Sequence, residues 1–160
     1  MKEKMILKTG MMIVMVAVLL GWGIPASGQD NMQILRDKIK ADKKLLVANN
    51  MELTDSEAKG FWPVYEEYQK ELGTINQRIV KLIESYAADY RAKSLSDEKA
   101  KKLVGEMVAI EQAEAAMKAA YVPKLGKVLP QIKVARYLQI ENKIRALVKY
   151  ELAGGVPLVE

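Results

Sequence analysis

The sequence predicts an all-α protein, built as a long antiparallel helical hairpin with flanking N- and C-terminal helices. Three observations carry that expectation. Apolar residues recur at alternating spacings of four and three over two long stretches, a helix-start signal stands before each stretch, and no segment of useful length alternates as a strand would. Half of the 160 residues are hydrophobic and 28% are charged, so one core can form. With one Phe and two Trp, Leu, Ile, Val, Ala and Met must build most of it, a palette suited to packed helices.

The first 28 residues read as a signal peptide. Lys2, Lys4 and Lys8 precede an apolar run from Met11 to Leu20, a Gly-Trp-Gly-Ile-Pro break follows, and Ala26-Ser27-Gly28 supplies small residues at the boundary. Cleavage is expected between Gly28 and Gln29, which makes the protein periplasmic. An uncleaved anchor is the alternative, because Thr9 to Gly28 carries no charge and about 20 apolar residues can cross a bilayer. Residues 29–153 are then a single all-helical domain and residues 154–160 a short flexible tail. Five of the nine methionines (Met1, Met5, Met11, Met12 and Met15) leave with the signal segment, and a thioether copper site loses its support.

From Asn31 to Ala48, Met32, Leu35, Ile39 and Leu46 mark a first amphipathic helix, which Asn49-Asn50 should break. Leu53-Thr54-Asp55-Ser56-Glu57 then has the form of a capping box, in which hydroxyl and carboxylate satisfy each other's backbone amides. Behind it Phe61, Tyr65, Tyr68, Leu72, Ile75, Ile79, Leu82 and Tyr86 trace one seam. That helix should run from Asp55 to about Lys93, roughly 58 Å at the usual α-helical rise. Pro63 inside it removes one backbone bond, to the Lys59 carbonyl, and predicts a kink near Gly60.

Ser96, followed by Asp97 and Glu98, is the next expected cap. Leu103, Met107, Ile110, Glu114, Met117 and Tyr121 repeat the spacing, so the second and third helices should pair lengthwise about a turn near Ser94. Val128-Leu129-Pro130 leads into a fourth helix from about Gln131 to Leu152, which Gly154-Gly155 should end.

The two helix starts, at Leu53-Thr54-Asp55-Ser56-Glu57 and at Leu129-Pro130-Gln131-Ile132-Lys133, resemble the paired LTxxQ motifs of the Spy/CpxP-like family of small periplasmic helical proteins. Glu57 stands at the first glutamine position, while Pro130 replaces the second threonine and Lys133 the second glutamine. The resemblance implies a helical hairpin, a cradle-shaped homodimer, and an ATP-independent chaperone or envelope-stress role with unfolded or envelope proteins as partners. Related metal sensors in the family use histidines.

This chain has neither histidine nor cysteine. The commonest general base and metal ligand are therefore missing, as is any thiolate, and the expectation is a non-enzyme without cofactor or metal. Glu114 and Glu141 fall on apolar faces. As a carboxylate pair they could do acid–base work or hold a hard cation; as structural groups they would pair with a cation or a tyrosine hydroxyl, and the second reading is preferred.

Charge is uneven along the chain. Ala115 to Tyr150 carries eight basic residues against Glu141 alone, within a whole-chain balance of +5. Capture of clients is expected to use Trp62, which lies off the seam, with Arg136, Lys143 and Arg145 of the basic fourth helix. The alternative is a regulatory module that binds a membrane sensor protein or the membrane surface through that helix. Nucleic acid is not an expected partner of an exported chain.

Overall fold

A computed structural model of the chain describes residues 41–159; the expected signal peptide, its Gly28–Gln29 boundary and the first helix before residue 41 lie outside them. Among the described residues every regular element is an α-helix. They are α1 (residues 41–51), α2 (Asp55–Arg91), α3 (Asp97–Gly126) and α4 (Gln131–Gly155). None of these is long and apolar enough to cross a membrane.

The chain divides into two compact units. One consists of Leu53–Ala135 and the chain from Pro157; the other consists of Arg136–Val156 and the chain up to Glu52. The first contains the hairpin. Thr54 caps α2: its Oγ1 accepts from the Glu57 amide at 3.3 Å, and Glu57 Oε2 accepts from the Thr54 amide at 2.8 Å, closing the capping box. The helix then runs unbroken through Pro63, for 37 residues. Ser96 caps α3 by accepting from the Lys99 amide, with Asp97 and Glu98 in the first turn, where the helix dipole favours them.

Cross-links fix the direction of the pairing. Asp89 meets Lys99, Arg78 meets Glu106 at 2.9 Å, Tyr68 meets Tyr121 edge-on at 5.2 Å, and Glu67 meets Lys124 at 3.3 Å. As one number falls the other rises, so α2 and α3 are antiparallel. Between them lie Phe61, Tyr65, Tyr68, Leu72 and Ile75 from α2, with Ile110, Met117, Tyr121 and Leu125 from α3, all buried. At the base of the hairpin, Val128 packs against Gly60. A Cβ on Gly60 would stand 3.0 Å from both Val128 Cβ and Cγ1, which is why a helical glycine is tolerated here.

Three boundaries differ from expectation. Residues 49 and 50 remain helical, with the Asn50 side chain donating to the Leu46 carbonyl at 2.8 Å, and the break comes at Glu52, which takes a left-handed φ of 49°. The second helix stops at Arg91 rather than Lys93. Lys93 adopts φ 50°, its amide donates to the Tyr90 carbonyl and the Ser94 amide to the Asp89 carbonyl, which is a Schellman ending with lysine where glycine is usual. The fourth helix runs past Leu152 and keeps Gly154 and Gly155 in its last turn; no described glycine has positive φ, so it ends without a left-handed glycine cap.

In the second unit, Val47 and Met51 of α1 and Tyr137 of α4 are buried. Lys43 pairs with Glu141 at 2.8 Å and Glu52 with Arg136 at 3.3 Å, an opposed order that makes these two segments antiparallel as well.

Candidate functional site

The hairpin is not equally filled along its length. Every buried residue of α2 lies at or before Ile75 and every buried residue of α3 at or after Ile110. Beyond those positions, toward the turn, Ile79, Leu82, Tyr86 and Leu103 are only half-buried. Met107, expected in the seam, is 47% exposed, and beside it Val104 and Val108 are 56% and 42% exposed. The reason is geometric: two helices alone can dry only the strip between them, and apolar residues here occupy a wider arc. The expectation that Met107 is buried is corrected accordingly.

Between the distal halves of the two helices lies an open groove of ≈ 470 Å³ whose apolar lining is Leu82 and Leu103. Arg78, Lys81, Lys99 and Lys102 border it, against Asp89 and Glu106. Three of the cations form ion pairs, and those of Arg78 and Lys99 involve the two acids of the groove. Bonding to Arg78 holds the Glu106 carboxyl below its ordinary range, and the Lys99 ammonium, aided by Ser94, does the same for Asp89. Lys81 is exposed, and Lys102 pairs only with Glu98, one turn away, where water reaches both side chains and the pair contributes little. Carbon and solvent-exposed positive charge thus share one surface.

The expected capture residues lie elsewhere. Trp62 is half-buried in the hairpin unit, edge-on to Phe61 at 5.0 Å and to Tyr65 at 5.3 Å. Arg136, Lys143 and Arg145 belong to the other unit: Arg136 pairs with Glu52, Lys143 is exposed and Arg145 half-buried. Sequence reasoning missed the distal arm because a 4-3 spacing marks which face a residue occupies and says nothing of how completely a partner covers it. A signal did exist in Val104 and Val108, which widen the apolar arc of α3 beyond its seam.

The two helix-start motifs do meet. Lys133 Nζ donates to Glu57 Oε2 at 2.6 Å, so the residues at the two glutamine positions form an ion pair. Bonding to Lys133 is the largest cause that holds the Glu57 carboxyl below its usual value, and the Thr54 amide adds to it. Leu129 is buried, Leu53 half-buried, and the Pro130 carbonyl accepts from the amides of Lys133 and Val134 at 2.9 and 3.1 Å, opening α4. Opposite charges at matched motif positions were the sequence signal for this pairing.

Glu114 and Glu141 are both buried and both paired, Glu114 with Lys118 of its own helix at 2.9 Å and Glu141 with Lys43. Among the described residues no three carboxylates converge as a cation site would require. Comparison with protein-family models, curated proteins and solved structures finds no match for this chain.

Proposed function

We propose that the protein is an exported, non-enzymatic binding protein that holds partly unfolded polypeptides without nucleotide, using the distal arm of its hairpin as the capture surface. One observation carries the reading: Leu82 and Leu103 line an open groove in which Lys81 and Lys102 are exposed to solvent, and the same stretch of α3 exposes further apolar surface at Val104, Met107 and Val108. Unfolded chains present carbon and charge together. Cations speed encounter with acidic segments, and apolar contact slows release. Resemblance to the Spy/CpxP-like family supports the same reading, and the signal-type N-terminus supports export. The holding role needs no catalytic group or cofactor.

The test is suppression of aggregation of several unrelated clients by the protein lacking residues 1–28, followed by light scattering without nucleotide. Suppression is expected for most clients. The triple variant Val104→Ser/Met107→Ser/Val108→Ser should lose it while retaining the helical circular dichroism of the parent, since these side chains contribute little to the core. Failure with every client, alongside tight binding to a single envelope protein, would replace this reading with the regulatory module.

A further inference from the structure

We infer that the groove between α2 and α3 is a docking site for a short extended peptide segment, about five residues long, in which one apolar side chain is flanked by carboxylates. The inference rests on the reading of the distal arm as the capture surface and names the kind of segment captured there.

Its first support is length, because ion pairs between the helices stand at both ends of the groove. On the side of the base Arg78 donates to Glu106 at 2.9 Å, and on the side of the turn Lys99 donates to Asp89. All four residues belong to the lining. Arg78 and Asp89 stand about 16 Å apart along α2 at the usual helical rise. An extended chain covers that distance in about five residues.

The second support is the placing of carbon and charge between those ends. Leu82 lies one turn after Arg78 and Leu103 one turn before Glu106, so the antiparallel pairing sets the two leucines opposite each other. Both are half-buried, and together they offer cover for one incoming apolar side chain. Lys81 and Lys102 directly precede them, one on each helix, and both are exposed. A segment resting on the leucines has a flexible ammonium within reach from either helix.

The third is charge complementarity. Four cations against two acids leave the lining at +2. Arg78 and Lys99 already neutralise Glu106 and Asp89, so the excess resides on Lys81 and Lys102. Lys102 also meets Glu98, but both side chains are at least three-quarters exposed, and an incoming carboxylate replaces such a pair at little cost. Two carboxylates neutralise the lining, whereas a basic segment adds like charge to it. An anionic membrane would match the charge but not the shape, since a groove between two helices admits one chain rather than a plane.

The test follows amide signals of the isotope-labelled full chain during titration with the peptide Glu-Ser-Leu-Ser-Glu, capped at both ends. Expected are saturable shifts at Leu82, Ser85 and Leu103, with signals near Gly73 unmoved. Replacing both peptide glutamates by glutamine should weaken binding about five- to tenfold, the worth of two exposed ion pairs. The exposed-site variant Lys81→Gln/Lys102→Gln should lose the same factor toward the acidic peptide and almost nothing toward the glutamine one. Equal affinity for both peptides, no shift at these positions, or an unchanged charge preference in the double variant would overturn the site. So would the same shifts caused by vesicles of anionic lipid in place of the peptide, or by protein concentration alone, which would assign the groove to a membrane or to a second copy of the chain. Peptide binding by a protein that suppresses no aggregation leaves the site and removes the chaperone; suppression with no peptide binding does the reverse.

Discussion

Removing one buried isoleucine should cost several times more than removing its half-buried neighbour one turn along the same seam. Ile75 is 5% exposed and sits where α2 and α3 close on each other; Ile79 is the next seam position toward the turn and is only half-buried. Ile75→Ala deletes three carbons that are dry in the native state. At ~0.8 kcal/mol per buried methylene the transfer loss is about 2.4 kcal/mol. The cavity left between two long helices brings the total to about 3–4 kcal/mol. At Ile79 the same carbons already touch water and no closed cavity forms, so about 1 kcal/mol is expected. Ile110→Ala, 4% exposed, should behave like Ile75→Ala, and Leu103→Ala like Ile79→Ala. All four residues lie in one compact unit, so urea unfolding followed by circular dichroism compares them within one transition. Amide hydrogen exchange adds a second readout, with faster exchange expected on both sides of the turn than around Ile75 and Ile110. Equal costs at Ile75 and Ile79, or uniform protection along α2, would refute the idea that the arm is held less firmly than the base, and with it the exposed carbon on which the proposed function depends.

Three further outcomes are expected. Lys93→Gly should stabilise the protein by about 1 kcal/mol in the same urea assay, because lysine occupies a left-handed position at the end of α2 that glycine adopts without steric cost. Gly60→Ala should destabilise despite the higher helix propensity of alanine: the new methyl would press on Val128 Cβ and Cγ1, which belong to a stiff β-branched side chain and cannot swing away. For Glu57 the folded state holds the carboxyl below its ordinary value, so its contribution to stability is present above that value and is lost as pH falls through the lowered one. Lys133→Gln should therefore flatten this part of the acid-side loss, read from thermal melts between neutral and acid pH, while leaving the helical content intact.

Much of the base of the hairpin was legible in the sequence, because it rests on local chemistry and on periodicity. Thr54 with Glu57, and Ser96 with its two following acids, announce their helices through groups no more than three residues apart, and the structure keeps both caps. Phe61, Tyr65, Tyr68, Leu72 and Ile75 repeat at a spacing that only a helix places on one face, and all are buried. The same repeat carried Met107 into the expected seam, where it is nearly half exposed. Spacing defines a face; burial needs atoms opposite it, and near the turn the two helices supply too few. The helix ends at Glu52 and Lys93 escaped notice for a related reason. A left-handed residue that is not glycine leaves no mark in composition, and the conformation follows from backbone bonds such as those from Lys93 and Ser94 to the preceding turn.

What the sequence determined by itself was the class of the fold, the starts of its helices, and the absence of the side chains that most catalytic and metal sites require. Tertiary structure decided which stretch of each seam is dry, that Glu57 and Lys133 share a proton-bearing bond across 76 positions of chain, and that Tyr86 holds the Pro157 carbonyl. Caps and helical periodicity act within a few residues and are written in order along the chain. Burial and long-range bonding depend on what another element brings to the same place, and that is fixed only when the helices pack.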